Sequence, residues 1–198
     1  AWNRRFGNGS QIVYAFRRFR TRWLKQSWSF EDSLAELPSD VRSIVEAEAI
    51  PHPLTLTDRL QSEKDGATKL LFRTDQGLMI ESVILRAETG RTSLCISSQV
   101  GCAAACRFCA TGQMGFMRNL TVAEIVGQVT HFARELAAEG DHVTNIVMMG
   151  MGEPLHNYER TIAALDRLTD PTGINLGARK ITISTVGLIP AIRRYADE

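Results

Sequence analysis

At 198 residues, with 44% hydrophobic and 23% charged side chains, the chain has the composition of a soluble globular protein and length for one core plus a small appendage. No run approaches the roughly 18 apolar residues of a membrane span and no secretory signal is visible, so a cytoplasmic monomer without membrane contact is expected. The net charge of +1 excludes a uniformly basic or acidic chain but hides an uneven distribution.

Arg4, Arg5, Arg17, Arg18, Arg20, Arg22 and Lys25 all precede the first acidic residue, Glu31. Trp2, Phe6, Tyr14, Phe16, Phe19, Trp23, Trp28 and Phe30 are interleaved with them. Two readings fit: a nucleic-acid surface in which cations meet phosphate and rings stack on bases, or an amphipathic helix with its rings turned inward. Up to about Glu48 the pattern is helical, with "SLAELPSDVRSIVEAEA" divided near Pro38. "IPHP" at 50–53 breaks it. Residues 1–60 are therefore expected to form a helical accessory domain and residues 67–198 an α/β core.

"TKLLFRT", "LMIESVILR" and "TSLCISSQ" follow as extended segments separated by "DQG" and "ETG" turns. "TVAEIVGQVTHFAREL" predicts a helix capped by Thr121 with Glu124 in a capping box and Gly140 as its stop. "NIVMMG" and "KITIST" predict buried strands, "YERTIAALDRL" a helix, and "IPAIRRYADE" the opening of another. Three βα units with a parallel sheet are implied. The chain begins at Ala1 and stops at Glu198 inside a predicted helix, so both ends look cut from a longer chain.

All four cysteines lie between Leu94 and Phe116. Cys102, Cys106 and Cys109 form C-x3-C-x2-C beyond a strand end, the edge at which parallel α/β folds place their chemistry. A disulfide framework is disfavoured in a chain without a secretory signal. Structural zinc wants four ligands, usually in separated pairs, and His131, His142 and His156 read as surface residues in or near helices. Three inert buried thiols within eight residues would be a coincidence. Three thiolates holding a [4Fe-4S] cluster leave one iron open for chemistry.

C-x3-C-x2-C after the first parallel strand, with Phe108 beside its last cysteine, resembles the signature of radical S-adenosylmethionine (SAM) enzymes. "MGMGEP" at 149–154 resembles their SAM-contacting segment. With "SSQVGCAAACRFCATGQMGFMRNLTVAEI", "NIVMMGMGEPLHNYE" and "RKITISTVGLIPAI", the resemblance narrows to the RlmN/Cfr family of radical SAM RNA methyltransferases. It covers about Thr68 to Glu198 and implies a partial (β/α) barrel of about three units behind a small helical N-terminal domain that binds RNA.

The same resemblance implies a [4Fe-4S] cluster on Cys102, Cys106 and Cys109, and SAM contacts at Gly152, Glu153 and Ser184. The substrate implied is an adenine of large-subunit rRNA, or tRNA, methylated at C2, with an electron donor such as flavodoxin or ferredoxin. In that scheme a methylated protein cysteine carries the new carbon to the base and Glu81 removes the C2 proton. Cys95 then frees the product with formation of a disulfide. The methyl-carrying cysteine is expected beyond Glu198, because none follows Cys109, and the chain alone is expected to be inactive. Two alternatives stay open: another radical SAM enzyme with a different substrate, and a non-catalytic RNA-binding protein with a structural metal loop. C8 methylation is likewise unresolved from C2.

Overall fold

The computed structural model describes residues 10–26, 29–49 and 51–198. Its N-terminal part runs through α1 (Ser10–Arg20), a π-helical turn (Thr21–Lys25), α2 (Phe30–Leu34) and α3 (Ser39–Glu48). Ser29 caps α2 by accepting a hydrogen bond from the Asp32 amide, and Pro38 separates α2 from α3 as predicted. Phe19, Phe30, Leu34, Leu37, Val41 and Val45 form a small core of their own, with Phe16 and Trp23 packed against it. The inward-packing reading therefore holds for Phe16, Phe19, Trp23 and Phe30. Tyr14 is 63% exposed, with the Arg18 guanidinium 5.7 Å from its ring centroid. Arg18 and Arg22 both bind Glu36. Trp2, Arg4, Arg5, Phe6 and Trp28 lie outside the described residues.

Arg20 leaves this unit for the core, donating to Asp170 Oδ2 at 2.8 Å, while Thr21 Oγ1 donates to the Thr172 carbonyl at 3.2 Å. Burial pushes the Asp170 carboxyl up, but hydrogen bonds from the Thr172 hydroxyl and amide, both at 2.7 Å, and the Arg20 guanidinium outweigh it and hold it at about 2. A carboxyl depressed in the folded state contributes fully above its unfolded value near 3.9 and loses that contribution as pH falls towards 2. The pair is partly exposed, so its expected worth is about 1 kcal/mol. Urea unfolding at pH 6 and pH 2 should show Asp170→Asn destabilised at the higher pH and converging on the parent at the lower.

Among the described residues, six strands form one sheet in the order β1 (Leu54–Gln61), β2 (Thr68–Thr74), β3 (Met79–Arg86), β4 (Thr92–Cys95), β7 (Asn145–Met148) and β8 (Ile181–Ile183). A separate ribbon pairs β5 (Gln99–Gly101) with β6 (Phe116–Asn119). Strands β1 to β4 are antiparallel neighbours, whereas β4, β7 and β8 are parallel. The expected parallel sheet is thus half of a mixed one. Residues 54–60, assigned by sequence to the helical part, instead belong to β1, an edge strand of the core. Its pairing slips between Leu56 and Asp58, where Thr57 Oγ1 donates to the Leu71 carbonyl. Strand β8 is half-exposed rather than buried, because it forms the opposite edge.

Helices α5 (Val122–Ala138) and α6 (Tyr158–Thr169) cover one face of the sheet. Leu70, Phe72, Ile80, Ile84, Leu94, Ile146 and Met148 meet Ile125, Val129, Phe132, Leu165 and Leu168 in the main core. Each such side chain stabilises the fold by roughly 1.5–3 kcal/mol. The α5 capping box forms as predicted: Thr121 Oγ1 accepts from the Glu124 amide and Glu124 Oε2 from the Thr121 amide. Gly140, at φ +76°, follows its last turn. His131 on α5 departs from its surface reading, packing edge-on against Phe72 with ring centroids 5.0 Å apart, and burial lowers its pKa. A last helix, α7 (Ile189–Asp197), lies on the surface. No described helix is long and apolar enough to cross a membrane.

Candidate metal and cofactor site

The face of the sheet opposite α5 and α6 carries two of the residues singled out by sequence, Glu81 and Cys95. Val83 pairs with Cys95, Cys95 with Val147, and Val147 with Thr182, so this row of side chains shares one face. Glu81 stands two residues from Val83 on that face, and Ser184 follows Thr182 by two residues past the end of β8. Glu81 is half-exposed, with Lys69 Nζ 3.3 Å from its Oε1. Burial raises the Cys95 thiol above its ordinary pKa, partly offset by a hydrogen bond from the Met149 backbone. Alkylation of Cys95 should therefore keep accelerating above pH 9, as a pH series of peptide-mapped labelling would show.

The predicted strand "TSLCISSQ" breaks after Cys95. Ser97 Oγ donates to the Glu81 carbonyl at 2.6 Å and accepts from the Met151 amide at 2.8 Å, while the Ser98 amide donates to the Met151 carbonyl at 2.8 Å. The chain bends out of the main sheet into β5, and the cysteine loop hangs from the β5–β6 ribbon. Cys102 is buried, and its amide donates to the Gly115 carbonyl at 3.0 Å across the loop's neck. Cys106 and Cys109 are half-buried, joined by a turn in which the Cys109 amide donates to the Cys106 carbonyl at 3.0 Å. A short helix, α4 (Ala110–Gln113), follows Cys109, and Phe108 is 93% exposed.

All four thiols are free, so the disulfide implied for Cys95 is not formed in this chain. Among the described residues, no three of His, Cys, Asp and Glu converge as ligands of a single metal ion. The cysteine loop offers three soft thiol donors with no imidazole or carboxylate between Cys95 and Cys109. That donor set fits an iron–sulfur cluster, in which each thiolate takes a different iron, better than a four-ligand zinc site.

The β7 loop lies against this ribbon. Gly152 has φ +101°, and a Cβ there would stand 2.5 Å from the Cβ of Gln99, so both the conformation and the close approach require glycine. Glu153 is 3% exposed and its carboxylate is committed to backbone: Oε1 accepts from the Leu155 amide at 2.9 Å and Oε2 from the Val186 amide at 2.8 Å. The acid thus caps the 3-10 turn Pro154–Asn157 and holds the loop after β8, bringing Gly152 and Ser184 to adjoining loops. Sequence reasoning missed Ser97, Gln99, Gln128 and Asn157, which fix these loops from below. Asn157 Nδ2, for example, donates to the Ser98 and Leu120 carbonyls. Polar residues inside apolar surroundings, such as Gln128 within the α5 pattern, were the available signal.

Residues 96–198 match the Radical SAM superfamily. The chain is 58% identical over 135 residues to "Dual-specificity RNA methyltransferase RlmN 1" of Myxococcus xanthus, covering 68% of this chain and 37% of that relative. It is 47% identical over 168 residues to "Probable dual-specificity RNA methyltransferase RlmN" of Mycobacterium ulcerans, covering 83% of this chain and 46% of that protein. The crystal structure of a radical SAM methyltransferase from Sphaerobacter thermophilus superposes with a TM-score of 0.86 at 44% identity, covering 93% of this chain and 54% of that one. The chain spans less than half the length of these two curated relatives. With the three cysteines on one loop beside the glycine–glutamate segment, these matches establish that the chain belongs to the radical SAM superfamily.

Proposed function

We propose that this chain is the cluster-bearing part of an RNA methyltransferase that modifies C2 of an adenine in large-subunit rRNA, and in tRNA. The observation that carries the reading is the placement of Cys95 at the end of β4, the strand that leads into the three-cysteine loop, with Glu81 on the same sheet face in the neighbouring β3. Similarity to proteins named dual-specificity RNA methyltransferases supports the substrate class.

Cys102, Cys106 and Cys109 would hold the [4Fe-4S] cluster. When bound, the cluster supplies an open iron for the methionine end of SAM and the electron for its reductive cleavage, received from a donor such as flavodoxin or ferredoxin. The backbone at Gly152 and Glu153 and the hydroxyl of Ser184 would orient SAM. Glu81, paired with Lys69, would accept the proton from adenine C2 at a carboxylate oxygen. Cys95 would attack the sulfur of the methyl-carrying cysteine, which this reading assigns to a part of the protein outside this chain; a disulfide forms as the carbon–sulfur bond of the crosslink breaks, and the released carbon keeps that electron pair and takes up a proton to become the methyl group on C2.

Nucleoside mass spectrometry of rRNA and tRNA from a strain lacking the gene, with and without complementation, tests the reading. The expected result is gene-dependent 2-methyladenosine. Appearance of 8-methyladenosine would move the reaction to C8, and unchanged nucleosides from a protein that still cleaves SAM would overturn the RNA substrate. Cys106→Ala should abolish iron binding, whereas Cys95→Ala should keep the full iron content and accumulate RNA crosslinked to protein. A colourless Cys95→Ala protein would contradict the role given to that thiol.

A further inference from the structure

One buried polar relay passes through all three loops of the site, and its centre is Gln99. This side chain is 1% exposed on β5, and both ends of its amide are used. Nε2 donates to Asn119 Oδ1 on β6 at 2.7 Å, and Oε1 accepts from the Glu153 amide at 2.9 Å. The Glu153 N–H fixes which end of the amide is oxygen, so the Gln99 orientation has one satisfied solution. Glu153 extends the relay, because its own carboxylate accepts from the Val186 amide. The connection therefore runs from Asn119 through Gln99 and Glu153 to Val186. It joins the ribbon bracketing the cysteine loop to the β7 loop and then to the β8 loop.

Packing reinforces the bonds. The backbone at Gly152 lies so close to Gln99 that no side chain fits between them, and the backbone N–H of Gln99 donates to the Met151 carbonyl at 3.2 Å. The glycine loop therefore cannot move away from β5 without breaking a buried bond, nor towards it without a clash. Inside a low-dielectric core each broken bond leaves a desolvated polar group, which makes the relay stiff.

We infer that Gln99 is a positioning residue that sets the distance between the cysteine loop and the loops after β7 and β8. The inference rests on the radical SAM reading for what those loops hold: a ligand gripped at one end by the cysteine loop and along its length by the other two. A misplacement of about 1 Å between such loops is enough to cost up to about a hundredfold in a reaction that depends on alignment. The coupling itself is a property of this chain alone.

Gln99→Leu keeps the volume and removes both bonds. In the protein without iron, amide hydrogen exchange at Glu153 and Val186 should rise by about tenfold, the equivalent of one lost hydrogen bond, while exchange in β2, β3 and α5 stays unchanged. In the reconstituted protein, iron content should be retained. SAM titration of the reduced cluster, followed by electron paramagnetic resonance, should show about tenfold weaker binding. Asn119→Leu should follow Gln99→Leu, whereas Asn119→Asp, which keeps the acceptor, should stay near the parent in both measurements. Unchanged exchange at Val186, or faster exchange with undiminished SAM binding, would overturn the assignment. A parent protein that takes up no iron would instead sink the radical SAM reading, with the exchange result still deciding whether Gln99 couples the loops.

Discussion

Gly101→Ala is expected to strip iron from the protein. Gly101 has φ +73°, and a Cβ built on it would lie 1.9 Å from the Gly115 carbonyl oxygen and 3.0 Å from its carbon. Those atoms are backbone, so no rotamer change relieves the contact; the ribbon must open. The same carbonyl accepts the Cys102 amide, so opening it releases the first of the three proposed ligands from its place. Left-handed strain contributes about 1 kcal/mol and the steric conflict more, for a total of roughly 3 kcal/mol or above. Gly90→Ala separates the two contributions: Gly90 also has positive φ, but a Cβ there meets nothing within 4 Å. Measured iron and sulfide should fall to near zero in Gly101→Ala and remain at the parental level in Gly90→Ala.

The second large effect is expected from Gln128→Leu, which preserves volume in the middle of α5. Gln128 is fully buried. Its Oε1 accepts from the Ser97 amide at 2.8 Å and the Ser82 hydroxyl at 2.6 Å, and its Nε2 donates to the carbonyls of Ser97 at 3.0 Å and Glu124 at 3.2 Å. Ser97 leaves the sheet ladder at this point, so Gln128 replaces the strand partner that its backbone lacks. Leucine would leave the Ser97 N–H and C=O and the Ser82 hydroxyl without these partners in a dry core. At about 1–3 kcal/mol for each unsatisfied group, partly relieved by relaxation, the expected loss is about 3 kcal/mol. Urea unfolding would show a lower midpoint at an unchanged slope. A loss below about 0.5 kcal/mol would contradict the bracing role.

Local signals made much of this fold legible. The Thr121–Glu124 capping box, the period of α5 and the apolar runs of β2 and β3 each state their own structure within a few residues. The three cysteines of C-x3-C-x2-C were legible as a group because they fall within eight residues, and the fold keeps them on one loop between β5 and β6. Strand β1 was not, since "LTLTDRLQ" lies on an edge, is exposed along nearly its whole length and has no buried alternation to betray it. The basic, aromatic N-terminal segment left two readings open, a stacking surface or rings turned inward, and sequence could not show that Phe19, Phe30 and Trp23 serve a local core while Glu36 and Asp170 engage Arg18, Arg22 and Arg20. Glu153 was picked out for cofactor contact, and sequence could not show that its carboxylate is spent on the backbone of Leu155 and Val186. Gln99 and Gln128 escaped notice for a related reason. Their partners include backbone groups 54 and 31 residues away, and such pairings are set by the tertiary fold.

The most direct test of the central claim is electron paramagnetic resonance of the anaerobically reconstituted, reduced protein, recorded with and without SAM. Three thiolates leaving one iron open predict a [4Fe-4S] signal that changes on adding SAM and is lost in the Cys102, Cys106 and Cys109 alanine variants. A protein that instead takes up one zinc, or whose cluster signal is indifferent to SAM, would contradict it.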